Sequence, residues 1–238
     1  MELRSVGLDV VDEALGRTFR RDPVSSRTGG PAGNARLTAW TGVVLLTLLM
    51  AELFTLIDVG GLISWHLVIG VLLIPPALLK TASTGWRIVG YYLGRSPYRQ
   101  AGPPPTVLRV LGPLVVATTL ALLGSGLLLI LLGPATSRTV VVDAFGQRVD
   151  WVTVHQAVFV AWAVVTGLHV LARLLPTWRL IGSRAAAAPV PGGYRRAATL
   201  AVTALVAILT ILLLWPTTAG WRDRSQRPER APGHSVPR

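Results

Sequence analysis

Five stretches of the chain stay apolar long enough to cross a hydrocarbon core ~30 Å thick, which takes about 20 helical residues. They fall at about 37–57, 62–80, 110–132, 151–175 and 197–215, separated by polar or Gly/Pro-rich text. Backbone in lipid must satisfy its own hydrogen bonds, so the pattern predicts an all-α, multi-pass transmembrane bundle. The expected architecture is a four-helix core with a fifth, peripheral span, the fifth having no ionisable residue. Residues 1–36 form a tail in which Leu8, Val11, Leu15 and Phe19 recur at helical spacing, as in a short interfacial helix. The tail lacks the apolar run of a signal peptide and is expected to be retained. Residues 216–238 are rich in Arg and Pro and are expected to be disordered.

The charges between the spans set an orientation. Lys and Arg number six, five and five in segments 1–36, 80–109 and 173–196, against two and five in 133–150 and after 216, with none in the link 58–64. Basic residues stay cytoplasmic, so the N-terminus is expected inside and the C-terminus outside, with the basic C-terminal tail the one discordant feature. Spans one and two then form a hairpin turning outside, and Pro75 and Pro76 are expected to kink span two. The loop 80–109 carries Trp86, Tyr91, Tyr92 and Tyr98 among its basic residues, an interfacial belt for lipid headgroups.

Composition narrows the chemistry. The formal net charge of +12 would suggest nucleic acid in a soluble protein, but here the basic residues sit between spans where topology requires them, so no nucleic-acid partner is expected. Without cysteine the chain can hold no disulfide, Cys-ligated iron–sulfur cluster or covalently attached haem. Twenty-two Arg to one Lys fits a GC-rich bacterial genome, hence a cytoplasmic-membrane location.

Ionisable groups within spans are costly and point to function. Span four carries His155 and His169, fourteen residues apart, nearly four helical turns, so both lie on one face and ~21 Å apart along the axis. Spans two and four run in the same direction, which puts His66 level with His155, with Gly126 of span three at a similar depth. Two imidazoles on separate helices beside a glycine make a haem-sized constellation in which His66 and His155 are the candidate axial ligands. Arg138 and Arg148 are candidate propionate partners. One level down the pattern breaks, because Lys80 follows His66 by the same fourteen residues and stands where a second imidazole would face His169. Gly70, Leu73 and Ala77 lie between His66 and Lys80, and Phe159, Trp162 and Thr166 between the two histidines of span four. These stripes are also compatible with ordinary helix packing. Glu52 in span one needs a partner and reads as a solvated or hydrogen-bonded group.

From about Trp40 to Arg173 the chain resembles the di-haem cytochrome b superfamily that includes the membrane subunits of Ni-hydrogenases and formate dehydrogenases. The resemblance rests on four spans, on Trp65-His66 at the head of span two, and on His155 with Gly167-Leu168-His169 on span four. It implies b haem bound by bundle histidines and electron transfer between a quinone and a partner redox protein. Lys80 departs from that pattern, so one haem b is expected and a second is in doubt, with His169 and Lys80 its only candidate holders. Two other readings stay open: a haem-free membrane scaffold or anchor, and a small transporter with Glu52, His66 and His155 as a polar path, which lacks the usual inverted repeat.

Overall fold

The computed structural model describes residues 22–102, 106–144, 146–182 and 189–225. The expected amphipathic helix around Leu8 to Phe19 lies outside them, as does the stretch from 226 onward. The helices are α1 (Gly30–Thr55), α2 (Ile63–Tyr92), the short α3 (Ser96–Ala101), α4 (Thr106–Thr136), α5 (Trp151–Gly182), α6 (Gly193–Leu214) and the short α7 (Ala219–Ser225). Among the described residues five helices are long and apolar enough to cross a membrane, so the chain is an all-α, multi-pass membrane protein. Large apolar side chains such as Val160, Leu171, Trp178 and Leu213 point outward, as lipid-facing positions do.

Two antiparallel hairpins make the bundle. α1 packs along α2, and α4 packs along α5. α2 is the central helix: it touches α1, α4 and α6. The fifth span, α6, covers the outer side of α2 through Ile211 and Leu214 against Leu67, Val68 and Val71, and contributes nothing to the space between the hairpins.

Several elements outrun what hydropathy suggests. α2 continues past Lys80 to Tyr92, so much of the segment read as a loop is helix. Hydropathy marks only the length immersed in hydrocarbon, and a helix can continue into the polar region where other contacts hold it. Here Arg87 makes a two-pronged ion pair with Asp22, Nη1 and Nη2 each 2.8 Å from a carboxylate oxygen. The helix ends at Gly94, whose φ of +73° suits glycine. Around it Arg95 N–H donates to the Gly90 carbonyl and Gly94 N–H to that of Tyr91, the paired bonds of a Schellman ending. α2 runs through Pro75 and Pro76 as one helix. α4 has a break in its helical backbone at Gly133 (φ +72°), just before Pro134.

The link 133–150 contains an antiparallel ribbon, β1 (Val140–Ala144) against β2 (Gln147–Asp150). The start of the expected disordered tail is also ordered: residues Trp215–Thr218 form a 3-10 turn that leads into α7. Arg and Pro content suggested disorder, but two tryptophans supply anchors. Trp221 Nε1 donates to the Leu129 carbonyl at 3.1 Å, and the Arg222 guanidinium sits 4.1 Å from the Trp215 ring centroid.

Asp150 caps α5. Its Oδ1 accepts from the Thr153 backbone N–H at 2.7 Å and from the Thr153 hydroxyl at 2.8 Å. These bonds, the backbone one foremost, hold its carboxyl below the ordinary value of 3.8. A group depressed in the folded state stabilises above its unfolded pKa, and that contribution is lost as pH falls through the folded value. Asp150→Ala is expected to lower unfolding stability in detergent by about 1 kcal/mol at neutral pH. The deficit relative to the parent should shrink below pH 3.8; an equal deficit at all pH values would remove the charged cap from the account.

Candidate functional site between the two hairpins

A cavity of about 1910 Å³ separates the hairpins, walled by α1, α2, α4 and α5. His66, Lys80, Gly126, His155 and His169 all line it, so the fold brings together every candidate cofactor residue. Both stripes line it too: Gly70, Leu73 and Ala77 on α2, and Phe159, Trp162 and Thr166 on α5. They therefore face a common space, where plain helix packing would have closed them on one another. Arg138 and Arg148 do not line the cavity; both are exposed near or on the ribbon. A short turn and ribbon carry them outward, so the structure does not bring the proposed propionate partners to the site. Cations do line the opposite end of the cavity, among them Lys80, Arg87, Arg109 and Arg173.

At the end nearer the ribbon, His66 and His155 come within electrostatic reach of each other. Each ring is held through Nδ1. His66 Nδ1 lies 3.0 Å from Thr55 Oγ1 and 3.0 Å from Glu52 Oε1. The Thr55 hydroxyl has a single proton, which it donates to the Glu52 carbonyl at 2.6 Å, and a carboxylate only accepts. His66 Nδ1 must then be the donor to both oxygens. The same reasoning applies across the cavity. The Ser125 hydroxyl lies 3.0 Å from the Leu122 carbonyl and 2.8 Å from His155 Nδ1; with its proton on the carbonyl, its oxygen accepts from Nδ1–H. In a neutral imidazole with the proton on Nδ1, Nε2 carries the lone pair. Among the described residues no hydrogen bond engages Nε2 of either ring. Gly126 makes room for this arrangement: a Cβ there would lie 3.2 Å from His155 Cε1.

Glu52 thus has the partner that a carboxylate in a span requires, and the hairpin supplies it. The link between α1 and α2 is short, so the last turn of α1 lies beside the first turn of α2 and brings Glu52 and Thr55 to His66. That pairing was available from the sequence as an acid and a hydroxyl three residues apart, on one face, opposite a histidine. Ser125, a small residue between Gly124 and Gly126, carries no such signal in the sequence. Its neighbour Gly124 is exposed, with nothing near the place of a Cβ.

These features fit a haem at this level. Two imidazoles from different helices line one cavity, each with Nδ1 against an oxygen and Nε2 without a hydrogen-bond partner among the described residues, as ligating histidines commonly are. Among the described residues no three His, Cys, Asp or Glu side chains gather as they would around a bare metal ion. An iron held here would bring its equatorial ligands with it, as porphyrin iron does.

The opposite level does not fit a second haem of the same kind. Lys80 Nζ donates to the Thr38 carbonyl at 3.1 Å, and an ammonium has no lone pair to give a metal. The surrounding bonds tie α1 to α2: Asn34 Nδ2 donates to the Ser83 carbonyl at 2.8 Å, and the Thr38 and Ser83 hydroxyls lie 2.9 Å apart. His169 comes under the electrostatic influence of Lys80 and Arg173. Its Nδ1 is buried without a hydrogen-bond partner among the described residues.

Compared with protein-family models, curated proteins and solved structures, the chain matches none.

Proposed function

We propose that this chain is a b-type cytochrome of a bacterial cytoplasmic membrane, with one haem b held between His66 and His155. The observation that carries the reading is the pair of histidines on α2 and α5, each bonded through Nδ1 so that its Nε2 is offered to the same cavity. Bound there, the haem would supply a one-electron iron couple. The residues around it have distinct tasks. Glu52 and Thr55 orient His66, Ser125 orients His155, and Gly126 leaves space for the second ring. Phe159 and Trp162, with ring centroids 6.0 Å apart, add an apolar wall that keeps water from the site. The resemblance to cytochrome b subunits suggests exchange of electrons between a quinone and a partner redox protein. The distribution of basic residues supports an N-terminus inside and a C-terminus outside, which puts His66 and His155 in the outer half of the bundle.

The test is a reduced-minus-oxidised absorption spectrum of protein purified from haem-replete cells, with haem and polypeptide quantified together. The expected result is a b-type band and one haem per chain. Folded, colourless protein would favour the haem-free scaffold instead.

A further inference from the structure

The second polar level of the cavity, ~21 Å from the first at 1.5 Å per residue, gathers one cation and two side chains that are able to donate. Lys80 uses one of its three N–H groups on the Thr38 carbonyl and has two more to offer. Its ammonium sits over Gly42, where a Cβ would lie 3.0 Å from Nζ, so the absent side chain keeps the cation in place at the cavity wall. From α5 come Thr166 and His169. Thr166 Oγ1 and His169 Nδ1 are buried, line the cavity and have no hydrogen-bond partner among the described residues. Buried polar atoms are nearly always paired, so two orphans beside a cation point to a missing acceptor.

Nothing acidic at this level supplies one. The described acids lining the cavity are Asp22, which accepts from Arg87 through both oxygens, and Glu52, which belongs to the His66 level. Leu45, Leu46, Leu49 and Val116 extend an apolar wall between the levels. The volume of about 1910 Å³ also exceeds the roughly 300–1,000 Å³ usual for one small-molecule site. The complement to these features is an anionic, acceptor-rich head on an apolar chain.

We propose that this level binds the phosphate head of an acidic phospholipid. The phosphate oxygens accept from Lys80 Nζ, Thr166 Oγ1 and His169, and an acyl chain lies along the apolar wall. Arg173 strengthens the local positive potential, since its charge acts on both Lys80 and His169. The proposal does not rest on the haem reading, because lipid can be measured whether or not the protein is coloured.

The parent chain and the variants Lys80→Met and Thr166→Val are purified in mild detergent, and bound lipid is quantified by extraction and mass spectrometry. Delipidated protein is then melted with added phosphatidylglycerol, with phosphatidylcholine, and with inorganic phosphate. The parent is expected to retain phosphatidylglycerol through washing and to be stabilised by it in preference to phosphatidylcholine. Affinity should fall about tenfold or more in Lys80→Met and by less in Thr166→Val. Because Thr166→Val conserves shape, it gives a reading even if Lys80→Met fails to fold. Unchanged retention in both variants, or equal stabilisation by phosphatidylcholine, would overturn the proposal. Equal stabilisation by inorganic phosphate would assign the site to a free anion and overturn the lipid as its occupant.

Discussion

Purified His66→Ala and His155→Ala proteins are each expected to lose the b-type spectrum completely, while His169→Ala keeps it. Either of the first two changes removes one of the two free Nε2 atoms at the level nearer the ribbon, and no other described imidazole is there to replace it. The two variants should differ in stability. In His155→Ala, Ser125 keeps its bond to the Leu122 carbonyl, so little is left unpaired. In His66→Ala, the carboxylate of Glu52 loses its partner while its Oε2 is already buried without one. Stranding a buried charge costs about 3–5 kcal/mol when no water can reach it. Glu52 is partly exposed, so a smaller loss is expected, and Glu52→Gln added to His66→Ala should recover much of it. Denaturation in detergent, with haem content measured in parallel, separates the two effects. Full haem content in both single variants would sink the assignment.

The second large effect concerns the oxygens behind the rings. Ser125→Ala removes the oxygen beside His155 Nδ1, and Glu52→Leu with Thr55→Val removes both oxygens beside His66 Nδ1. Loss of such an outer hydrogen bond commonly costs about 10–100-fold in metal affinity, and that range is expected for haem retention in each case. Ser125→Thr should behave nearly as the parent, because it keeps the hydroxyl. Glu52→Gln alone should also raise the midpoint potential, since a negative charge near a ligand favours the oxidised iron. Competition with apo-myoglobin for haem gives the affinities and a redox titration gives the shift. Unchanged retention in Ser125→Ala would show that the serine merely packs.

Much of this site was legible before the fold was. Span directions alone put His66 level with His155, and the fourteen-residue spacing put Lys80 on the level of His169. Both are consequences of helix geometry, which hydropathy and a count of residues supply. The hydrogen-bonding partners were harder to read, because they come from other helices. Glu52 could be placed beside His66 by the shortness of the hairpin turn, whereas Ser125 could be matched to His155 only once the rotation of α4 was known. Arg138 and Arg148 were misplaced for a related reason: depth along the chain says nothing of whether a side chain turns inward, and theirs turn to the surface. The extension of α2 to Tyr92 and the ordered turn after Pro216 lie beyond the hydrocarbon, where Asp22, Trp215 and Trp221 decide the structure and apolar periodicity is silent.

The central claim is that one iron is held from two sides, by His66 of α2 and His155 of α5. The most direct test is the coordination state of the purified protein, read by electron paramagnetic resonance of the oxidised form and by carbon monoxide binding to the reduced form. A six-coordinate, low-spin signal and no reaction with carbon monoxide are expected. A high-spin, five-coordinate iron that binds carbon monoxide, or a protein that takes up no haem, would contradict that claim.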